Sequence, residues 1–406
     1  MKKRILIAMH YLEIGGAETA LIGLLQAFDY SRYDVDLFLY AHRGEMMQFV
    51  PKEVNLLPEI RSYSFLEKSI LSAYKNGFIG IASARLLGKV LAKIYNMPSF
   101  SIDVFTSKLT KFFLPKINPN VKYDLAISFL TPHTYCRDKV RAEKKICWIH
   151  SDYAFNKVDV KCELPVWSAF DHVVSISDDV SKTFLQTFPS LKDKIVLIEN
   201  ILLPKLVRER AEEFDASSEY ANYYHNGEIT ISLLSIGRFT YQKNLENIPD
   251  ICKRISSSHF TLQSSLKVRW FIIGYGGDEQ LIRQKIHEAG MEEYVIILGK
   301  KSNPYPYIKA CDIYVQPSRY EGKSVTVREA QMLYKPVVVT NYPTSKSQIK
   351  NGIDGVIVPM DNQGCAEGIL QIVHDMDKQQ RIIEHLRTHD YGNEQEVEKL
   401  YKLLES

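Results

Sequence analysis

Short runs of apolar residues alternate along the chain with longer segments in which apolar positions recur at helical spacing. The short runs are rich in Val, Ile and Leu and do not alternate with polar residues, which is typical of parallel strands covered on both faces. Strands alternating with helices predict βαβ units. The strands are expected at 4–9, 35–40, 125–129, 145–149, 172–176 and 194–198, and then at 229–236, 268–273, 295–298, 313–316, 337–340 and 355–358.

The chain of 406 residues is too long for one ordinary hydrophobic core. We therefore expect an α/β protein of two Rossmann-like, doubly wound domains facing a central cleft, over 1–200 and 228–385. Residues 201–227 contain a proline, a charged run and a polar stretch, which is typical of a connection between domains. Ligands of doubly wound sheets bind outside the carboxyl ends of the strands, so residues that follow strands are the candidates for function.

Composition excludes several classes of protein. A net charge of +3 is small for a dedicated nucleic-acid binder. The six cysteines form no C-x-x-C pair, so we expect reduced thiols and no metal site. No run of 18 apolar residues is present, so the sequence predicts no membrane-spanning helix.

The loop after the predicted strand 229–236 carries two cations. Gly237 permits a tight exit from the sheet, and Arg238 and Lys243 follow it. A guanidinium binds phosphate with a fork of donors and an ammonium acts as a mobile point charge, so the pair suits a diphosphate. Two solvated surface charges are the alternative.

A second motif, at 321–329, follows a predicted strand and opens a helix. Ser324 is a natural N-cap, which would leave the N–H groups from Val325 onward facing an anion. Glu329 lies one turn above Val325, where its carboxylate can accept hydrogen bonds from ribose, and Glu321 can accept them from a sugar. A capped helix with both glutamates in salt bridges explains the spacing equally well.

Weaker candidates for ligand binding lie in the first half of the chain, at the carboxyl ends of its predicted strands. Gly15 and Gly16 follow the first strand and open a helix, where backbone can approach a ligand closely; an ordinary strand–helix turn is the alternative. His150 is the one histidine of the eleven that we place at the carboxyl end of a strand, although a packed histidine would explain it.

Together these motifs resemble the retaining glycosyltransferases of family four, which have the GT-B fold. The resemblance covers nearly the whole chain and is tightest over 235–359. It implies that Arg238 and Lys243 bind a donor diphosphate, that Glu329 binds the ribose, and that Glu321 binds the transferred sugar. It also implies nucleotide-sugar contacts at the positions Gly15, Gly16, Gly237, Gly322, Lys323, Ser324 and Val325.

The resemblance implies three further features. His150 would contact the donor sugar near the reaction centre. The last helix, within 386–406, would cross back onto the first domain. Many members carry an aromatic residue where this chain has Lys323, so the sugar pocket is expected to differ in shape or polarity.

The implied reaction moves a hexose from a nucleotide sugar to an acceptor hydroxyl with retention, in the assembly of polysaccharide or lipid-linked glycan. His150, Arg238, Lys243 and Glu321 would be catalytic. No covalent nucleophile is evident, so we expect front-face displacement without a metal or other cofactor. The alternatives are a sugar-nucleotide epimerase or phosphorylase on the same fold, and a silent subunit that only binds.

Residues 65–122 are both apolar and basic. Arg85, Lys89 and Lys93 recur every fourth residue and form one stripe along a predicted helix. An adjoining apolar face is formed by Leu86, Leu87, Val90, Leu91 and Ile94. This pattern predicts a cytoplasmic protein held peripherally at the anionic inner face of a membrane. A helix covering its own domain core with a solvated basic edge is the alternative.

Overall fold

The computed structural model describes residues 2–151, 153, 157–224, 229–258 and 266–405. The chain forms two compact units, one of Met1–Ile201 with Glu394–Ser406 and the other of Leu202–Asn393. Each unit is built on one parallel sheet, and every strand pairing in both sheets is parallel.

The first sheet has seven strands in the order β3-β2-β1-β4-β5-β6-β7. These are β1 (Lys3–Met9), β2 (Tyr33–Leu39), β3 (Asn55–Leu56), β4 (Tyr123–Ser128), β5 (Ala142–Ile149), β6 (His172–Ser175) and β7 (Ile195–Leu197). Strand β3 was not expected from the sequence. It has two residues at the edge of the sheet, too few to produce an apolar run.

The helices of the first unit follow the strands in chain order. They are α1 (Gly16–Ala27), α2 (Arg61–Ser64), α3 (Ile70–Lys75), α4 (Ile79–Ile94), α5 (Ser99–Thr110), α6 (Thr134–Lys139), α7 (Val160–Trp167) and α8 (Asp178–Thr187), with short 3-10 turns at Glu45–Phe49, Lys111–Phe113 and Pro189–Lys194.

The second sheet has six strands in the order β10-β9-β8-β11-β12-β13. These are β8 (Ile229–Ile236), β9 (Leu266–Ile273), β10 (Val295–Gly299), β11 (Ile313–Gln316), β12 (Val337–Thr340) and β13 (Val356–Val358). Its helices are α9 (Pro204–Ala211), α10 (Ser217–Ala221), α11 (Ile248–Ser256), α12 (Glu279–Ala289), α13 (Tyr305–Ala310), α14 (Val325–Met332), α15 (Ser345–Gln348), α16 (Asn362–His374) and α17 (Met376–Thr388).

Both faces of the second sheet are covered, which explains its uninterrupted apolar strands. Neighbouring residues of β8 point into different cores, because Leu233 belongs to one buried cluster and Leu234 to another. Val338 and Val339 of β12 divide in the same way. A strand buried on both faces has no polar side, so its sequence reads as a continuous Val/Ile/Leu run.

The stretch expected to connect the domains has a different role. The described part of 201–227 ends at 224 and carries α9 and α10, which belong to the second unit. Val207 and Tyr220 are buried in its core, and the Tyr220 ring stacks on Phe271 with centroids 4.0 Å apart. The sequence pattern did not predict these helices, because they contain a charged run and their few apolar positions are four residues apart.

The chain returns to the first unit at its end, through a 3-10 turn at Glu394–Glu396 and helix α18 (Val397–Glu405). Tyr401 anchors this helix. Its ring stacks on Tyr33 with centroids 4.3 Å apart, and its hydroxyl oxygen accepts a hydrogen bond from the Asp29 amide at 2.7 Å. Residues 386–393, expected to cross with the last helix, belong instead to the second unit.

None of the described helices is long and apolar enough to span a bilayer. The cysteines Cys136, Cys147, Cys162, Cys252, Cys311 and Cys365 are buried free thiols.

Tyr401→Ala should destabilise the first unit by about 3–5 kcal/mol, because it removes a buried ring and leaves a cavity. Urea unfolding followed by circular dichroism measures the loss. Lys402→Ala changes the neighbouring exposed residue and serves as the control. Equal stability of the two variants would show that α18 does not depend on this contact.

Candidate functional site

The strand order places the candidate residues of the second unit side by side. Strand β8 pairs with both β9 and β11, so the order of the sheet reverses there. Such a switch point leaves a crevice at the carboxyl ends of the strands. The loop carrying Gly237, Arg238 and Lys243 leaves β8 at this edge, and the loop carrying Glu321 leaves β11.

Hydrogen bonds join these two loops along their length. Asn244 Nδ2 donates to the Pro317 carbonyl at 2.9 Å, and the Arg319 amide donates to the Gln242 carbonyl at 2.9 Å. Asn244 has a φ of 58°, the left-handed conformation that Asn adopts more readily than most residues. The cation loop and the glutamate loop are therefore one connected piece of structure.

Lys243 and Glu321 meet at the centre of this piece. Lys243 Nζ lies 2.6 Å from Glu321 Oε1, with side chains only 18% and 6% exposed. The same oxygen accepts hydrogen bonds from Ser318 Oγ at 2.6 Å and Gln316 Nε2 at 3.1 Å. Lys243 is thus not the solvated cation of the alternative interpretation, whereas Arg238 is exposed.

A glycine loop supports the cation loop from the neighbouring strand β9. A Cβ on Gly274 would lie 1.9 Å from the Gly237 carbonyl oxygen, and one on Gly276 would lie 2.5 Å from that of Phe239. The Phe239 amide donates to the Tyr275 carbonyl at 2.8 Å. The sequence alone does not show this support, because the contact of one loop with another is not visible in a linear pattern.

Helix α14 begins after Ser324, as expected, but Ser324 Oγ caps no backbone amide. It lies 3.1 Å from Thr326 Oγ1 instead. The Ser324 amide donates to Gln348 Oε1 at 3.0 Å, which holds the start of the helix in place. Because the serine hydroxyl takes none of the first-turn amides, these N–H groups, beginning at Val325, stay available to an anion.

Glu329 lies on the inward side of α14 and is buried, 3% exposed. Tyr305 donates its hydroxyl to Glu329 Oε1 at 2.8 Å. Burial raises the pKa of the Glu329 carboxyl to about 7, against the opposing effects of the Tyr305 hydrogen bond and the Arg210 charge. Glu321 therefore forms the salt bridge of the alternative interpretation, whereas Glu329 is hydrogen-bonded to a tyrosine.

The candidates of the first unit lie at the carboxyl edge of its own sheet. Gly15 precedes α1, and a Cβ on Gly16 would meet nothing within 4 Å, so no packing demands glycine at position 16. His150 follows β5 and its ring packs on Phe129 with centroids 4.6 Å apart. Burial lowers the pKa of His150 to about 3, so the imidazole is neutral at pH 7.

His150 is not alone at this edge, which corrects the expectation from the sequence. His10 follows β1 and His133 follows β4, and Nε2 of all three histidines is buried without a hydrogen-bond partner among the described residues. Burial also lowers the pKa of His133 to about 3. His10 stands directly after the first predicted strand and could have been found; His133 lies beyond a loop.

The described residues contain no group of three or more His, Cys, Asp or Glu side chains that could hold a metal ion.

Comparison with known proteins finds relatives of the second unit. Residues 226–389 match the sequence model of the family described as glycosyl transferases group 1. Most of the second unit is therefore similar to the group 1 glycosyltransferases. The resemblance seen in the sequence is thereby confirmed for this domain, while the roles of single residues, retention and the hexose stay predictions.

Relatives are distant and partial. An uncharacterized glycosyltransferase of Methanocaldococcus jannaschii is 22% identical over 213 residues, which are 51% of this chain and 50% of the relative. An Escherichia coli enzyme named UDP-Gal:alpha-D-GlcNAc-diphosphoundecaprenol alpha-1,3-galactosyltransferase is 25% identical over 131 residues, 31% of this chain and 32% of that enzyme. The chain thus spans about half the length of the first of these relatives and about a third of the second.

Solved structures match over the full length. HepE of Anabaena, in complex with UDP and glucose, aligns with 99% of this chain and 99% of its own at a TM-score of 0.67 and 16% identity. At such identity the likeness concerns the fold. The predicted fold class, GT-B with two Rossmann-like parallel-sheet domains, is confirmed.

Replacing Glu329 with Gln should change how stability depends on pH. With a pKa of about 7 against an ordinary 4.5, the folded chain holds more protons than the unfolded chain in this window. The free energy of unfolding of the wild type should therefore fall as pH rises from 4.5 to above 7. Glu329→Gln cannot ionise, so it should gain up to about 3 kcal/mol on the wild type between pH 5 and pH 8.

Urea unfolding at the two pH values measures this gain. Glu384→Gln, an exposed change on α17, is the control and should show no such gain. The same difference between Glu329→Gln and the wild type at both pH values would mean that the carboxyl is not perturbed by burial.

Proposed function

We propose that the chain is a retaining glycosyltransferase that moves a hexose from a nucleoside diphosphate sugar to an acceptor hydroxyl of a polysaccharide or lipid-linked glycan. The observation that carries the proposal is the joining of Lys243 to Glu321 at the switch point of the second sheet. Arg238 and the uncapped first turn of α14 lie on the same two loops. Cations and free amides suit a diphosphate, and carboxylates suit hydroxyls.

The ion pair suggests how the donor enters. A diphosphate near Arg238 and the first turn of α14 would compete for the Lys243 ammonium. Glu321 would then exchange its ammonium partner for sugar hydroxyls, while Ser318 and Gln316 keep the carboxylate in place. The carboxylate would stay hydrogen-bonded throughout, which avoids the cost of an unpaired buried charge.

Transfer would follow front-face displacement. The bond between the anomeric carbon and the diphosphate oxygen breaks, and the acceptor oxygen bonds to the same face of that carbon. The acceptor proton passes to the departing phosphate oxygen. Arg238, Lys243 and the helix amides stabilise the charge that grows on the leaving group, so the proposal needs no divalent metal or other cofactor.

Two features of the first unit suit contacts with a nucleotide sugar. Gly15 stands at the N-cap of α1 and Gly16 offers open backbone in its first turn, which suits approach to phosphates. We propose that His150 contacts a sugar as a neutral hydrogen-bonding group, because its lowered pKa keeps it uncharged near pH 7.

Two substitutions distinguish the proposed roles of Arg238 and Glu321. Arg238→Ala should weaken nucleoside diphosphate binding about ten- to a hundred-fold, because a charge-assisted hydrogen bond contributes about 1.5–3 kcal/mol. Glu321→Ala should spare nucleoside diphosphate binding and abolish turnover. Calorimetry with UDP in the presence of EDTA measures binding and tests metal independence together.

The matched control is Arg283→Ala, which removes an exposed arginine from α12 of the same unit. Unchanged affinity in Arg238→Ala would refute the phosphate assignment. Loss of wild-type binding in EDTA, restored by magnesium or manganese, would refute metal independence.

An epimerase and a silent binding subunit are the competing functions. An epimerase would convert the donor sugar without any acceptor, and a silent subunit would neither convert nor hydrolyse it. Incubation of UDP-hexoses with the protein alone, followed by analysis of sugar and nucleotide products, separates these from a transferase with slow donor hydrolysis.

We also propose that the first unit rests on an anionic membrane at the cytoplasmic face, where a lipid-linked acceptor would be met. Helix α4 supports this because most of its large apolar residues face outward, with Ile81 as the buried exception. Leu86 and Ile94 are 56% and 68% exposed, whereas Ala84, Gly88 and Ala92 are buried. A helix that covered its own core with its large apolar face, as in the alternative interpretation, would show the opposite distribution.

The surroundings of α4 strengthen this proposal and correct one residue. Phe112 and Phe113, in the turn after α5, are 75% and 53% exposed. Lys89 and Lys93 are exposed beside the apolar face. Arg85 is not part of that basic stripe, because Nη1 donates to the backbone carbonyls of Phe65 and Lys68 at 2.7 and 2.6 Å.

Co-sedimentation with vesicles containing anionic lipid tests the membrane proposal. Each cation near an anionic surface contributes about 1 kcal/mol, so Lys89→Gln with Lys93→Gln should weaken binding roughly thirty-fold. Leu87→Ser with Ile94→Ser should weaken it further. Lys285→Gln, on α12 of the second unit, is the control. Wild-type protein left in the supernatant at low salt would refute the proposal.

A further inference from the structure

Glu329 is a carboxylate among apolar side chains. The core that surrounds α14 consists of the buried residues Ile308, Tyr314, Val325, Val327, Ala330 and Met332, among others. Such surroundings favour the neutral carboxyl. Two groups favour the charged form, the Tyr305 hydroxyl and the Arg210 guanidinium. The Tyr314 hydroxyl, on β11, is also close but donates to Gln316 Oε1 at 2.7 Å.

Tyr305 is itself held firmly. Its amide donates to Asn303 Oδ1 at 3.1 Å, and Asn303 Nδ2 donates to the Arg210 carbonyl at 2.8 Å. The Arg210 guanidinium lies 4.8 Å from the centre of the Tyr305 ring, and its Nη2 donates to the Ser302 carbonyl at 3.2 Å. Helix α9, which the sequence placed in a connection, thus braces the residue that contacts Glu329.

We propose that Tyr305, braced by Arg210, is a positioning residue for nucleotide binding: its hydroxyl holds Glu329 Oε1 and leaves Oε2 to accept the ribose hydroxyls. Tyr305 donates to Oε1 at 2.8 Å, so its hydrogen bond does not occupy Oε2. The inference rests on the proposed function, in which Glu329 binds the ribose.

The arrangement has a chemical consequence. A charged carboxylate accepts two ribose hydroxyls well, whereas a neutral carboxyl is a weaker acceptor and carries a proton of its own. Removing the Tyr305 hydroxyl takes away one of the two groups that favour the charged form. Glu329 would then be neutral at pH 7, and nucleotide affinity would return only at higher pH.

The experiment compares UDP with 2′,3′-dideoxy-UDP by calorimetry on the full chain, from pH 6 to pH 9. Tyr305→Phe should weaken UDP binding about tenfold at pH 7, the loss expected for one hydrogen bond to a charged group. It should leave binding of the dideoxy nucleotide unchanged. The loss of UDP affinity should shrink towards pH 9.

Tyr307→Phe is the matched control. Tyr307 lies on the same helix α13, and its hydroxyl donates a hydrogen bond of the same kind to Glu219 Oε2 at 2.6 Å. The substitution removes this hydrogen bond and leaves the one to Glu329 intact. Melting temperatures of both variants report any general loss of stability. Arg210→Met should produce the same pH dependence as Tyr305→Phe, because it removes the other group that favours the charged form of Glu329.

The outcomes separate the inference from the function. Equal weakening of both nucleotides by Tyr305→Phe, or a loss of UDP affinity that does not vary with pH, would overturn the positioning role alone. If Glu329→Ala leaves UDP binding unchanged, Glu329 does not bind the ribose, and the positioning role of Tyr305 is refuted as well. If the wild type binds none of UDP, ADP and GDP, the proposed function itself is contradicted.

Discussion

The parallel pairing of β8 with β11 is the constraint on which the candidate site depends. Ser235 Oγ donates to the Val315 carbonyl at 2.6 Å across this pair and accepts a hydrogen bond from Trp270 Nε1 at 2.9 Å. Parallel strands end at the same edge of a sheet. The pairing therefore brings together two loops that lie about 80 residues apart in the chain, as the Lys243–Glu321 contact records.

Once the loops meet, the site is governed by how buried charge is compensated. Glu321 has three partners on one oxygen, including an ammonium, so its burial leaves no bare charge. Glu329 accepts a hydrogen bond from the Tyr305 hydroxyl and is influenced by the charge of Arg210. Both lower the pKa of its carboxyl, but burial raises it by more. The two glutamates thus differ in environment although the sequence presents them as a symmetric pair.

The first unit shows the reverse arrangement, with apolar groups brought to the surface. The residues of α4 that pack against the unit are small except for Ile81, and most of the large apolar ones face out. A neighbouring helix can approach closely over glycine and alanine: a Cβ on Gly88 would lie 2.7 Å from Thr106 Oγ1 of α5. Exposed large apolar residues on one helix are uncommon in a surface that faces only water and indicate an interaction site.

The sequence by itself determined every described strand except β3, the two-sheet organisation, the loops that carry Gly237, Arg238, Lys243 and Glu321, and the helix that carries Glu329. Apolar runs and strand-end residues are local properties of the chain. The tertiary structure decided what those residues contact. The ion pair of Lys243 with Glu321, the glycine brace at 274–277 and the Arg210–Tyr305–Glu329 group all join segments distant in sequence. The same holds for Arg85. Helical spacing places it in line with Lys89 and Lys93, but its guanidinium donates to backbone carbonyls of another segment and so does not join their basic stripe. Periodicity fixes the side of a helix on which a residue stands, whereas its partners depend on which elements pack there.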